Sequence, residues 1–202
     1  MYTLYYMPSA CSLATHVVLR ELGQDVNLID REQASNFSDI NPVGSVPVLT
    51  DGDNTLTEGV AILMHLFDKH KSSMLPEESA ARQKAIRDIL FANATMHPAY
   101  GKLFFIGQRI SDESAKTEAY TAAAEAINNL WNVVEGRLND GTFLGGDTPS
   151  AADIMLTVYS RWGAYHPVDI TFGPKTTKLL AAVQDMPNFK KSVEAEAVAS
   201  AK

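Results

Sequence analysis

Hydrophobic and polar positions change their period along the chain, alternating with helical repeats early and keeping a helical repeat alone later. Tyr2–Tyr6 is aromatic and β-prone and is stopped by Met7-Pro8-Ser9, which predicts a strand. From Ser12 to Glu21, apolar residues at Leu13, Ala14, Val17 and Val18, then Leu22, follow a helical period, and Gly23 stands where helices commonly end. Residues 26–29 alternate as a second strand. The polar stretch 30–41, anchored by Phe37 and Ile40, reads as an irregular or weakly helical connection.

Residues 46–50 and 55–57 read as an antiparallel hairpin, because Asp51-Gly52-Asp53-Asn54 between them tolerate turn conformations. Val60, Leu63, Met64 and Phe67 then mark one face of a helix ending near His70. The order βαβ followed by ββα predicts a four-stranded mixed sheet with helices. Residues 71–76 are polar and proline-stopped, so the expected domains are 1–72 and 77–202.

The second domain reads as all-α. Ile86, Leu90, Asn93 and His97 fall on one helical face, as do Ile127, Leu130, Trp131, Val134 and Leu138, and again Met155, Val158, Tyr159 and Trp162. Thr148-Pro149-Ser150-Ala151-Ala152-Asp153 predicts a helix start with Ser150 as N-cap, Asp153 as its reciprocal partner, and Pro149 and Ile154 placed for a hydrophobic staple. Residues 194–202 are alanine-rich and are expected to fray.

Composition narrows the function classes. Seventeen Lys+Arg against twenty-four Asp+Glu give a net charge of -7, which repels phosphate backbones and makes nucleic acid an unexpected partner. A single cysteine, Cys11, excludes an intrachain disulfide and any CxxC redox pair, and suits a reducing compartment. Residues 1–7 carry no basic residue, and no apolar run approaches the ~18 residues of a membrane helix, so a cytoplasmic protein with no membrane partner is expected.

Four places could carry chemistry. Cys11 lies between a strand-ending turn and a helix start, where free N–H groups and the helix dipole favour a thiolate; a buried structural cysteine is the alternative. In Ser45-Val46-Pro47-Val48, Pro47 is either an ordinary trans edge proline or a cis proline whose preceding residue, Val46, presents its N–H and C=O to a peptide-like ligand as an added strand. Thr57-Glu58-Gly59 opens a helix, where backbone N–H groups suit a ligand carboxylate and Glu58 a ligand ammonium, unless Glu58 merely complements the dipole. His97 is either a core histidine or a cleft residue. His16, His65, His70 and His166 form no HxxxH or HExxH pattern, so no metal is expected, and no Walker loop, GxGxxG or GxSxG occurs.

Read jointly, Tyr6, residues 9–14 (SACSLA), 41–49 (NPVGSVPVL) and 56–62 (LTEGVAI) resemble the glutathione S-transferase family, most closely its bacterial beta class. Met96-His97, the Ser150-Asp153 cap and Arg161-Trp162 extend the resemblance over nearly the whole chain. It implies a thioredoxin-like N-terminal domain, an all-helical C-terminal domain forming the electrophile site, a homodimer, and glutathione as co-substrate in the cleft between the domains. By the same resemblance, Val46 before a cis Pro47 pairs with the cysteinyl backbone of glutathione, and Glu58 with Gly59 grips its γ-glutamyl end. Ser12 also belongs to the binding set, and Cys11, Tyr6 and His97 lie at the sulfur as the catalytic set.

The implied reaction is conjugation of glutathione to small hydrophobic electrophiles, with monothiol disulfide exchange or peroxide reduction at Cys11 as a side activity. A non-catalytic ligand carrier or interaction adaptor, and a dedicated reductase or dehalogenase, are the competing readings. Three departures stand out. The stretch 30–41 is short and lacks the lysine that relatives use for the glycyl carboxylate. Pro98 follows His97 where lysine is common, and Thr95 stands where an acid often reaches across the dimer.

Overall fold

A computed structural model describes residues 1–138 and 141–200. The chain forms two compact units, Met1–Ile86 joined by the chain from Gln184 onward, and Arg87–Val183. In the first, strand β1 (Tyr2–Tyr6) leads into helix α1 (Ser12–Glu21) and strand β2 (Val26–Asp30). A 3₁₀ turn (Arg31–Gln33) and a short helix α2 (Phe37–Ile40) precede the hairpin β3 (Val48–Asp51) and β4 (Asn54–Thr57), and helix α3 (Gly59–His70) follows.

The sheet order is β2-β1-β3-β4, with β1 and β2 parallel and the other pairs antiparallel, so the mixed four-stranded thioredoxin-like sheet is present. Asp51 pairs with Asn54, which leaves Gly52 and Asp53 as a two-residue turn with Gly52 at φ 61°. The hairpin is therefore tighter than the four-residue turn read from the sequence, and β3 starts at Val48, beyond Pro47. Leu4 of β1, Val17 and Val18 of α1, Leu49 of β3, and Ile62 and Leu66 of α3 are wholly buried, so these two strands and two helices turn apolar faces inward.

The second unit contains the end of α4 (Ser79–Phe91), a wide π turn (Ala92–Met96), α5 (His97–Arg109), α6 (Glu113–Arg137), α7 (Ala151–Ser160) and most of α8 (Pro174–Asp185). The capping box at Ser150 and Asp153 forms in both directions. Every residue of α7 from Ala151 to Tyr159 is buried, including the polar Asp153 and Thr157, each of which is hydrogen-bonded. The apolar face around the π turn differs from the expected one. Ile89, Ala92, Met96, Tyr100 and Leu103 form the buried stripe, whereas Leu90 is 46% exposed and Ile86, Asn93 and His97 are half-buried. The stripe is offset by one residue, which turns His97 out of the core.

The chain end also departs from expectation. Helix α9 (Pro187–Ser200) is regular through Ser200 and packs in the first unit, beside α1 and β2. Residues 201–202 lie outside the described residues. Alanine composition alone suggests fraying, but Phe189, Ser192 and Glu196 are buried and fix the helix. The expected divide at 72–77 thus falls inside the first unit, and the last helix returns to it.

Candidate active site

The strand–turn–helix around Cys11 is tied from within. Ser12 is wholly buried; its hydroxyl accepts from the Met7 N–H (3.3 Å) and donates to the Met7 C=O (3.4 Å), while the Ala10 N–H donates to the same carbonyl (3.1 Å). Ser12 therefore closes the turn that presents Cys11, and its side chain is spent on the backbone. Cys11 is half-buried at the start of α1, and its thiol donates to the Val46 C=O at 3.1 Å. Val46 precedes a cis Pro47, and no hydrogen bond to the Val46 N–H is formed among the described residues. A Cβ built on Gly59 would lie 3.6 Å from the Pro47 ring, so the start of α3 abuts the same proline. Three segments far apart in sequence, around Cys11, Val46-Pro47 and Glu58-Gly59, meet in one place.

Glu58 is exposed and sits at φ 68°, ψ 111°, a backbone state that side-chain-bearing residues adopt at a cost of about 1–2 kcal/mol. Its carbonyl accepts from the Ile62 N–H (3.0 Å), and its side chain makes no capping bond to α3. The 41–47 loop is organised by Asn41, whose amide donates to the Ser45 C=O (2.8 Å) and accepts from the Val43 N–H (3.2 Å).

Burial dominates the electrostatics of Cys11. It pushes the thiol up to about 11, against the opposing backbone N–H groups of Cys11 and Ser12. The expected helix-start stabilisation of a thiolate exists but loses to desolvation. The resting Cys11 is a neutral S–H donor, in agreement with its contact to the Val46 carbonyl.

Tyr6 is placed differently from the catalytic role that the resemblance implies. It is fully buried, and its hydroxyl lies 3.1 Å from the Glu196 C=O and 2.9 Å from Ser200 Oγ, both on α9. Burial raises its pKa, so it is a neutral strut between β1 and α9. His97 lies in the second unit, its ring edge-on to Tyr159 (5.1 Å between centroids) and Trp162 (5.2 Å). Burial lowers its pKa, which leaves a neutral imidazole at pH 7. Thr95 and Pro98 on either side of it are exposed.

Residues 30–41 lack a lysine but carry a cation, Arg31. Arg31 donates from Nη1 to the Gly44 C=O (3.2 Å) and from Nε to Glu32 (3.1 Å), so it is anchored on the loop that carries Val46. It is the one basic residue of that stretch, a signal available from the sequence. Among the described residues no cluster of three His, Cys, Asp or Glu side chains is arranged to hold a metal ion, and no helix is long and apolar enough to cross a membrane.

Residues 1–68 match the glutathione S-transferase N-terminal domain and residues 81–191 the glutathione S-transferase C-terminal domain. The chain belongs to the glutathione S-transferase family. It is 32% identical to glutathione S-transferase GST-4.5 of Xanthomonas campestris, over 83% of this chain and 85% of that one. Among solved structures, it resembles the bacterial beta class glutathione S-transferase of Sphingomonas chungbukensis, with a TM-score of 0.82, 30% identity, and coverage of 96% and 98%. A sphingomonad glutathione S-transferase solved in complex with glutathione gives a TM-score of 0.82 at 30% identity, covering 97% of this chain and 99% of that one.

Proposed function

We propose that this protein is a glutathione transferase that conjugates glutathione to small hydrophobic electrophiles. The observation that carries the reading is the convergence of Cys11, the Val46–Pro47 cis bond and Gly59, with the Val46 N–H left without a partner among the described residues. Glutathione offers a peptide to pair with Val46 as an added strand, an ammonium for Glu58, and an α-carboxylate for the N–H groups at the start of α3. Arg31 takes the place of the lysine that relatives use for the glycyl carboxylate. On this reading residues 1–72 hold glutathione and residues 77–202 supply the electrophile site.

Chemistry then requires the glutathione thiol to ionise and attack an electrophilic carbon, forming the C–S bond as the leaving group departs with its electron pair. A neutral Cys11 thiol suits this step as a hydrogen-bond donor to the glutathione thiolate, with the free N–H groups at the start of α1 behind it. His97 belongs to the same set on the family resemblance, as a neutral imidazole. Ser12 and Tyr6 support the site by holding the Cys11 turn and α9. Disulfide exchange at Cys11 would need its thiolate, which burial opposes in the free protein, so it stands as a side activity. By the same resemblance the protein works as a homodimer in the cytoplasm.

The test is conjugation of glutathione to an activated aryl halide by the purified protein, with Cys11→Ala and Glu58→Gln beside it. Saturable turnover, reduced in both variants, supports the reading. A protein that folds but neither binds millimolar glutathione nor turns over would overturn it. Cys11→Ala should abolish any glutathionylated form while part of the conjugating activity remains; equal loss of both would reject the divided role.

A further inference from the structure

Asn41, at the end of α2, is 4% exposed, and both its backbone and its side chain are fully engaged. Its N–H donates to the Phe37 C=O (2.9 Å) and its C=O accepts from the Gly44 N–H (2.8 Å). Its side chain accepts at Oδ1 from the Val43 N–H (3.2 Å) and donates from Nδ2 to the Ser45 C=O (2.8 Å). The bonds to Phe37, Val43 and Gly44 close the turn. The bond to Ser45 reaches further, to the carbonyl that immediately precedes Val46.

The Ser45 C=O and the Val46 N–H belong to one peptide unit, which is trans, unlike the Val46–Pro47 bond that follows it. A planar trans unit points its C=O and its N–H in opposite directions, so turning one turns the other. Drawing the Ser45 C=O onto Asn41 therefore sends the Val46 N–H away from Asn41, and no hydrogen bond to that N–H is formed among the described residues. A hydrogen bond at the carbonyl end of a peptide unit also polarises it and strengthens the N–H as a donor.

The rest of Val46 is held by other means. Its side chain packs with Phe37 and Val48, and its C=O, which lies in the next peptide unit, accepts from the Cys11 thiol at 3.1 Å. The loop before it has little packing of its own: Pro42, Val43 and Ser45 are exposed, Val43 at 77%. Hydrogen bonds, not apolar contacts, thus fix the Ser45–Val46 plane. Without the Asn41 donor, the carbonyl of an exposed serine can turn to water, and the N–H turns with it.

We propose that Asn41 is a positioning residue for glutathione, aiming the Val46 N–H at the ligand's cysteinyl carbonyl through the Ser45–Val46 peptide unit. The inference rests on the glutathione reading above and assigns a role to a residue that touches no ligand in it. The amide is suited to the task because it accepts from Val43 and donates to Ser45 at once. A carboxylate of the same size keeps the first bond but sets lone pairs against the Ser45 C=O, which drives the plane the other way.

Conjugation kinetics with an activated aryl halide, run on the parent, Asn41→Asp and Asn41→Ala, test it, with urea unfolding to show that each variant is folded. The bond from Val46 is made in ground and transition state alike, so KM for glutathione should rise about tenfold in both variants, the worth of one hydrogen bond, with kcat kept. Lost fold would instead lower apparent kcat and leave KM unchanged. Alkylation of Cys11 by iodoacetamide at alkaline pH, without glutathione, should match the parent, because the Val46 C=O keeps its own packing. Unchanged KM, a fall in kcat alone, faster alkylation in the variants, or failure of both variants to fold would overturn the proposal. A parent that does not bind glutathione overturns the functional reading itself, whereas a parent that turns over beside variants of equal KM overturns the role of Asn41 alone.

Discussion

At the scale of single residues, Glu58 carries two opposed consequences. Its left-handed backbone costs the free protein stability, while its carboxylate is the group offered to the ligand ammonium. Glu58→Gly should therefore raise folding stability by about 1 kcal/mol and at the same time weaken glutathione binding by about tenfold or more, the loss of a charge-assisted hydrogen bond. Paired urea melts and binding titrations check both signs. Cys11 makes a second prediction. With its thiol pushed up to about 11, alkylation by iodoacetamide in the free protein should stay slow at neutral pH and accelerate only as the pH approaches that value. Rapid alkylation at pH 7 would show that the helix start outweighs burial. Tyr6→Phe removes only a hydroxyl bound to α9, so it should cost about 1 kcal/mol of stability and leave turnover nearly intact; a large loss of turnover would return Tyr6 to the catalytic set.

Among the elements, α9 is the one whose role the sequence hides. Glu196 on α9 and His16 on α1 are both buried, with His16 Nδ1 at 3.3 Å from Glu196 and His16 Nε2 accepting from Arg20 Nε at 3.0 Å. Because Arg20 donates to Nε2, the imidazole is neutral and its proton sits on Nδ1, donated to Glu196. Ser200 donates to the buried Asp30 (3.0 Å), so a polar seam joins α9 to α1 and β2. Burial and the Arg20 charge hold His16 at about 3, whereas an unfolded chain protonates near pH 6.5. The unfolded state then binds the extra proton, so stability is full above about pH 6.5 and declines as pH falls toward 3. Urea midpoints at pH 8 and pH 5 should diverge in the parent and less so in His16→Gln; equal divergence would remove His16 as the source.

The π turn is the other element that periodicity misplaces. A helical stripe through Ile86, Leu90, Asn93 and His97 is a sound reading of the hydrophobic pattern, yet the buried face runs one residue over, through Ile89, Ala92 and Met96. A period fixes spacing but not phase when alternative stripes carry similar apolar content. This phase decides that His97 sits at the edge of an aromatic cluster and not in the core.

For the whole molecule, what could be read from the chain follows from how local the cause is. The strands, α1, the hairpin and the Ser150 capping box depend on neighbours within a few residues, and their patterns predict them. The docking of α9 depends on buried partners about 170 to 190 residues away, Asp30, His16 and Tyr6, for which an alanine-rich tail gives no sign. Motif order identified the family and named Cys11, Val46, Pro47, Glu58 and Gly59, which the fold brings together. The hydrogen bonds of Tyr6, expected in the catalytic set, and of Ser12, expected in the glutathione-binding set, to α9 and to Met7 had no sign in the motifs, nor did the anchoring of Arg31 on Gly44.

The central claim is that a bound glutathione thiol loses its proton more easily than a free one. An ultraviolet titration of thiolate absorbance on the parent protein loaded with glutathione measures this, because Cys11 itself ionises only as the pH approaches about 11. The account predicts an apparent pKa about two units below that of free glutathione, equivalent to about 2.7 kcal/mol of differential stabilisation. Saturation without any shift, or no binding at millimolar glutathione, would contradict it.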